Sequence, residues 1–461
     1  AGLGGCLAAK ELRRCFGDAA ELHVWERATY TAGRFGAVAK AGELRVDLGA
    51  QVLSVVDPGD PRALPGHGIT RDALDGAWTE VQALAARGLV EPVGDEQLAP
   101  TEERLLWPEL WRQYAAVGSL SDVCAALLAD ARPDAVHFGR RVDGLERDAT
   151  FVVAAAQRDG DGIATPARAT FDAVVLAVPA PDALAIDGVA DALPSELADL
   201  VRRTRYDART ATAVFLRDDD GEASRVLDRV FGGGVERDGL GGLELVHRHG
   251  RGGPVVAVVA HSAAAAAVAP QLSVADVLAA IDAAALRPLV VSSKTVRWHC
   301  AQMITPLEAL RPRNPVDRGP CVCDDSSTLV LAGDYCTQSS FLGAYASSLA
   351  AAEAVQAGVV AACPELRSCL IKRQKLHLTL GLLALPLTEA GAAGAAAELD
   401  AAVAALRASA AAAGADRVPV RFGGLGAFGS NVLFARCDDA SGGALAAVAA
   451  AAAAALPAAG P

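Results

Sequence analysis

No apolar run of about 20 residues without polar interruption occurs anywhere in these 461 residues, which leaves no candidate for a membrane-spanning helix. The nearest approach, Ala446 to Leu456, is too short and almost wholly alanine. Basic charge is also scarce. Against 55 Asp plus Glu stand 42 Lys plus Arg, a net charge of −13, so neither nucleic acid nor an anionic membrane is expected as a general partner. Paired cysteine spacing is missing too: the ten Cys are scattered without a disulfide framework, which fits a reducing, intracellular compartment, cytoplasmic or organellar. Nor do His, Cys, Asp and Glu stand at metal-ligand spacing. His247-Arg248-His249 has no third ligand near it and reads as a solvated turn at a strand tip, with Arg251 and the glycines beyond supporting the turn. The chain opens on Ala1 and not on Met, from which we expect a piece whose true N-terminus, with any targeting peptide, lies upstream.

What is present begins at once. Ala1-Gly2-Leu3-Gly4-Gly5 precedes a segment, Leu7 to Phe16, that can form a helix, and Glu21 to Glu26 then reads as a strand ending in an acid. In a glycine-rich strand-to-helix turn, one Gly makes the turn, the next lets a pyrophosphate approach bare backbone, and the last lets helix pack on strand. Gly2 and Gly5 take the second and third places, and the first Gly with its strand is expected upstream of Ala1. The helix N-terminus faces the phosphates with unpaired N–H groups, and Glu26 stands about 20 residues on, where a ribose hydroxyl needs an acceptor. A Gly/Ala-rich loop followed by a surface Glu is the other reading of the same residues.

Thr31-Ala32-Gly33-Arg34 and Arg45-Val46-Asp47-Leu48-Gly49-Ala50-Gln51 favour the first reading. Here the sequence resembles the flavin-containing amine oxidase superfamily, in which a Gly-Arg step sits on the FAD pyrophosphate; an Arg fork suits phosphate oxygens. The run "DLGAQ" resembles the segment that such flavoproteins lay against the isoalloxazine ring, which implies roles for Gly49 and Gln51.

Further along, Thr70 to Arg87 has the apolar spacing of one amphipathic helix, within a stretch punctuated by Pro58, Pro61, Pro65 and Pro92. Ser119 or Ser121 can cap a helix from Asp122 to Ala129. Ala135 to Leu145, Phe151 to Ala156 and Ala167 to Phe171 alternate as a small meander, closed by the apolar strand Phe171 to Val178 before Pro179. The run "VVLAVPAPDA" resembles the family's return strand, and Val142 matches the position whose backbone meets the adenine. Strands at Thr210 to Leu216, Arg229 to Val235, Gly242 to His247 and Pro254 to His261, with a helix from Ser273 to Ala284, predict an α+β substrate domain. Arg297-Trp298-His299 resembles a pair near the end of that domain in renalase-like flavoproteins; Trp298 or His299 then lines the substrate cavity, or serves as a buried structural aromatic.

The second strong signature is the buried strand Thr328 to Ala332 breaking at Gly333-Asp334, followed by a helix from about Tyr345 to Ala357. The run "GDYCTQSSFLGA" is close to the renalase-like version of the motif, which implies cofactor contacts from Gly333, Asp334, Phe341, Gly343 and Ala344. The resemblance covers most of residues 1–358.

Residues beyond 358 have no place in such an oxidase. Lys375 to Leu380 is an alternating strand with His377 and Thr379 on one face, and Val418 to Gly429 follows an alanine-rich helix. This resembles the first half of a two-histidine phosphoesterase domain of the kind found in kinase-anchoring proteins, where two His-x-Thr motifs supply base and acid. Only the first motif is present, so a catalytically silent half-domain is expected: a truncated fusion, a gene-model artefact or a remnant interaction module.

The expected architecture is therefore α/β. A Rossmann-type FAD-binding domain lacking its N-terminal strand (1–57, 119–185 and 301–358) carries an inserted α+β substrate domain (58–118 and 186–300), with a partial α+β phosphoesterase-like half-domain at 364–461. Gly2, Gly5, Glu26, Arg27, Gly33, Arg34, Gly49, Gln51, Val142, Gly333, Asp334, Phe341, Gly343 and Ala344 are expected to hold FAD, without a covalent link because no Cys lies in a matching attachment motif. The resemblance implies hydride transfer from a small-molecule substrate to FAD, with dioxygen as the second substrate. A dihydro isomer of NAD(P), an amine, or a non-enzymatic scaffold are the readings left open. Five Tyr and five Trp leave little for an aromatic cage around an amine.

Overall fold

The computed structural model describes residues 1–364 apart from 37, 61, 64–68, 94–109, 149, 159–163, 233–235, 239, 241–242, 251–252, 264, 266–267 and 307–319, together with 420–428 and 432–439. The chain forms two compact units, Ala1–Pro364 and Glu365–Pro461.

Helix α1 (Leu3–Phe16) buries Cys6, Leu7 and Ala9, carries Arg13 and Arg14 in its last turn, and stops at Gly17 with φ 57°. It starts four residues before the expected Leu7, because Gly4 and Gly5 belong to the helix and not to a preceding loop. Strand β1 (His23–Trp25) follows. Strands β2 (Val38–Ala41) and β3 (Leu44–Asp47) form a hairpin, then come β4 (Val52–Val56) and α2 (Arg71–Ala86), capped by the Thr70 hydroxyl on the Ala73 N–H. Strands β5 (Val90–Val93) and β6 (Trp111–Ala116) join β4 in the order β4-β6-β5. Of the two serines offered as a cap for α3 (Leu120–Ala131), Ser119 is the one used. Leu74 and Val81 of α2 share one core with Leu7, Val123, Leu127 and Leu342, so the helices 71–86 and 120–131 bury their apolar stripes together.

The expected strand Ala135 to Leu145 is split at Gly139, φ 70°. Strand β7 (Ala135–His137) pairs in parallel with β1, whereas β8 (Arg140–Arg147) turns away into an antiparallel meander with β9 (Phe151–Arg158) and β10 (Ala164–Phe171). Strand β11 (Val174–Leu176) pairs in parallel with residues 329–331. Three short helices, α4 (Ala180–Leu184), α5 (Val189–Ala192) and α6 (Ser195–Arg203), lead to β12 (Arg205–Tyr206) and the long β13 (Arg209–Arg217).

Helix α7 (Glu222–Phe231) occupies the start of what the sequence predicted as a strand, Arg229 to Val235. Ala223, Leu227 and Phe231 recur every fourth residue and are all buried, a helical stripe that the turn-like residues on either side obscured. Strands β14 (Glu236–Asp238), β15 (Leu243–His249) and β16 (Val255–Ser262), helix α8 (Val274–Ala280) and β17 (Val290–Trp298) complete an antiparallel sheet in the order β14-β15-β16-β13-β17. Period-two alternation gives this sheet two apolar faces. Val214, Leu216, Val246, Val256 and Val258 pack on α7 and α8; Ala211, Ala213, Phe215, Ala257 and Val259 pack on Ala39, Val46 and Leu48 of the β2–β3 hairpin region. Each buried Val, Leu or Phe among them contributes about 1.5–3 kcal/mol, the alanines less. Ser273 and Asp276 close a capping box on α8. Ser273→Ala should therefore lower the stability of this unit by about 1 kcal/mol. Urea unfolding followed by tryptophan fluorescence checks this selectively, since Trp25, Trp78, Trp107, Trp111 and Trp298 all precede residue 365.

The chain returns through β18 (Met303–Thr305), paired with β12, and β19 (Val322–Cys323) to β20 (Leu329–Leu331), the partner of β11. Helix α9 (Phe341–Ala362) starts at a Ser340 cap and is buried on most sides. In the second unit, β21 (Val420–Phe428) and β22 (Val432–Asp439) form an antiparallel hairpin. The expected strand Lys375 to Leu380, with His377 and Thr379, lies outside the described residues. Among the described residues no helix is long and apolar enough to cross a membrane, and no group of three His, Cys, Asp or Glu could hold a metal ion.

Candidate active site

A single cleft of about 1690 Å³ collects almost every residue singled out in the sequence. Its floor is the start of α1. Gly2, the N-cap, has no side chain to satisfy the N–H groups of the first turn, so the helix presents unpaired donors and a partial positive charge there. Gly2 also bridges to Ala32, and the neighbouring Gly33 sits at φ +52°, with a Cβ built on it only 3.3 Å from the Gly2 Cα. This close approach is why the turn needs glycine. Glu26, just after β1, is oriented by accepting the Ala28 N–H at 2.9 Å. Arg27 faces solvent at the rim and meets Asp182 at 3.4 Å.

Arg34 and Asp334, 300 residues apart, form one ion pair across this floor at 2.7 Å. Arg34 also donates to the Ala301 carbonyl at 3.1 Å, while Asp334 accepts from the Ser339 hydroxyl at 2.8 Å. Burial works against the guanidinium charge, but the Asp334 carboxylate outweighs it and holds Arg34 protonated above its ordinary range. Gly49 is required by packing, since a Cβ there would overlap the Arg34 carbonyl oxygen. The Gln51 amide donates to the carbonyls of Asp47 (2.7 Å) and Gly49 (3.1 Å), which turns its Oε1 toward His249 Nε2 at 3.2 Å.

At one end Val142 lines the cleft together with Trp25, over whose ring the Arg140 guanidinium lies at 4.6 Å. Gly5, Gly333, Phe341 and Ala344 line it near the two helix starts, and Trp298 and His299 line it from the end of β17. Gly343 stands back from the wall: a Cβ there would overlap the Gln338 carbonyl, so its missing side chain serves the packing of the 337–340 loop on α9.

Sequence reading missed the sheet's contribution. Arg209, Glu244, His247, His261, Lys294 and Arg297 all line the cleft. The solvated-turn reading of His247 and His249 is corrected: both lie in β15, and His247 is buried. Cross-strand register places His247 opposite Val259 and His261 opposite Leu245 and Ala211, so the imidazoles share the face that packs toward β2 and β3. The signal was the two-residue spacing of the histidines within an alternating run, which the glycines after His249 masked. Burial, above all, depresses the His249 and His261 imidazoles to about 4 and lowers that of His247 as well, so all three are neutral at pH 7.

Residues 97–356 match the family described as flavin containing amine oxidoreductase. The chain belongs to that family. This flavin-dependent oxidoreductase uses FAD, and the geometry fits the group: bare glycine backbone and free helix N–H groups for phosphates, an acid at the end of β1, and a cleft larger than the roughly 300–1,000 Å³ of an ordinary small-ligand site. Residues 349–460 match a second family, the AKAP7 2'5' RNA ligase-like domain. A triple variant of putrescine oxidase with redesigned cofactor binding aligns at 14% identity and a TM-score of 0.47, over 76% of this chain and 96% of that one. A protein described as a protoporphyrinogen oxidase from Exiguobacterium sp. 255-15 aligns at 12% identity and 0.46, over 77% and 97%. A search of curated proteins gives no match.

Proposed function

We propose that this oxidoreductase is renalase-like and takes hydride from a dihydro isomer of NAD(P). When bound, FAD supplies a two-electron acceptor that dioxygen reoxidises, giving hydrogen peroxide. In this reading the parallel strands with α1 and α9 are a Rossmann-type domain, and the sheet β13–β17 belongs to an inserted substrate domain. Gly2, Gly5, Gly33 and the α1 N-terminus would hold the pyrophosphate, Glu26 a ribose, Val142 the adenine, Gly333-Asp334 the ribityl chain, and the Gly49–Gln51 backbone the ring.

The observation that carries the substrate class is the charge of the sheet face. Arg209 and Lys294 stand on that face against Glu244 and Asp207, which Arg209 bonds, so the face carries no net negative charge that would draw an ammonium ion. Tyr335, the one tyrosine of the Gly-Asp segment, is fully buried and does not line the cleft. Glu244 is the feature favouring an amine as the second reading.

Anaerobic mixing tests it. Bleaching of the flavin band at about 450 nm by dihydro-NAD(P) isomers and not by amines is the expected result. Bleaching by amines alone would move the substrate to the second reading.

A further inference from the structure

A polar chain runs from the cleft floor to the sheet face. Arg34, paired with Asp334, donates to the Ala301 carbonyl; the Ala301 N–H donates at 3.0 Å to the carbonyl of Asp207, and the Gln302 N–H at 2.8 Å to its Oδ1. The other carboxylate oxygen, Oδ2, takes both Nε (2.8 Å) and Nη2 (2.7 Å) of Arg209. Nη2 also meets Glu244 Oε2 at 3.1 Å. Arg209 is thus buried, clamped by two carboxylates and aimed at the cleft it lines, opposite Trp298 in the β13–β17 register. Its remaining terminal nitrogen, Nη1, has no partner among the described residues. Charged donors held this rigidly, with one N–H arm left over, are how proteins position a ligand oxygen.

We propose that Arg209 is the substrate anchor of this cleft, its Nη1 donating to a neutral carbonyl oxygen on a flat ring beside Trp298. Resting on the dinucleotide reading, that oxygen is the pyridine carboxamide. The local balance of one guanidinium against two carboxylates disfavours a carboxylate in the same place, and an ammonium ion finds no acceptor on Nη1.

Full-length, FAD-loaded protein is titrated with NAD+ and with its nicotinic acid analogue, following the perturbation of the flavin spectrum. The wild type should bind the amide roughly tenfold more tightly than the acid. Arg209→Lys, which keeps the charge beside Asp207 and loses the fork, should weaken NAD+ binding by roughly tenfold with the flavin content unchanged. Glu244→Gln, which removes one of the two negative charges, should narrow the preference by admitting the acid. NAD+ affinity unchanged in Arg209→Lys overturns the anchor. Should that variant fail to fold, an amide-to-acid ratio unchanged in Glu244→Gln overturns it equally. A wild-type spectrum moved by neither dinucleotide but by amines overturns the dinucleotide reading, and the carboxamide anchor with it.

Discussion

Arg34→Ala should strip the protein of its flavin and cost about 3 kcal/mol of stability. The residue does two things at once. Its guanidinium joins the turn that follows β1 to the loop that follows β20, and its backbone carbonyl fills the space that Gly49 leaves. Removing the side chain leaves the Asp334 carboxylate, only 12% exposed, with a hydroxyl from Ser339 as its remaining side-chain partner. An uncompensated buried charge is what makes the breaking of such a pair expensive, whereas removing both partners is much milder. The double variant Arg34→Ala with Asp334→Asn should therefore lose less stability than the two single losses combined. The flavin-to-protein absorbance ratio after gel filtration separates cofactor retention from folding. If Arg34→Ala keeps its flavin and melts with the wild type, the pair holds neither.

The two ends of that pair were legible for different reasons from the pair itself. Gly2, Gly33 and Glu26 announce themselves because turn and helix-start chemistry is local: a few residues decide whether backbone can approach backbone. The same holds for Gly333-Asp334, a buried apolar strand that stops abruptly. Nothing local says that Arg34 reaches Asp334, because the distance in sequence is 300 residues and the contact depends on how the sheets are assembled. Sequence therefore pointed Arg34 at phosphate, and the structure shows its fork already engaged by a carboxylate and a carbonyl.

The sheet face shows the converse failure. His247, His249 and His261 carry their meaning only once β15, β16 and β13 lie side by side, when two-residue spacing becomes a shared face. Read alone, His-Arg-His before glycine looks like a turn. Arg209 was still less visible, since its role comes from Asp207 and Glu244, one of them two residues away and the other on a neighbouring part of the sheet. Helix α7 was missed for a reason of period: its stripe of Ala223, Leu227 and Phe231 is short and bounded by turn formers. Two helix starts were read to within two residues, at Thr70 and Ser119, where a side chain satisfies a specific orphan N–H.

Asp47 gives the second large effect, and it runs opposite to the usual behaviour of a carboxylate. It ends β3, is 8% exposed, and accepts the Leu120 N–H of α3 at 2.9 Å through Oδ2, while Oδ1 is buried without a partner among the described residues. Burial pushes its pKa up to about 7; the Leu120 N–H and Arg45 pull it down, Asp122 pushes it further up, and burial wins. With the folded value raised above the unfolded one, the native state holds a proton that the unfolded chain has released. Stability from this group is therefore complete below about pH 4 and is lost as pH rises to about 7, a swing of about 4 kcal/mol. Asp47→Asn removes the swing and keeps an oxygen for Leu120, but sets an amide donor where Oδ1 lacks a partner, which costs about 1–3 kcal/mol. The variant should be more stable than the wild type by about 2 kcal/mol at pH 8 and less stable at pH 4, so that the two stability curves cross. Tryptophan-detected urea unfolding across that range measures both. Parallel curves would mean that Asp47 is ionised throughout and that a partner for Oδ1 offsets its burial.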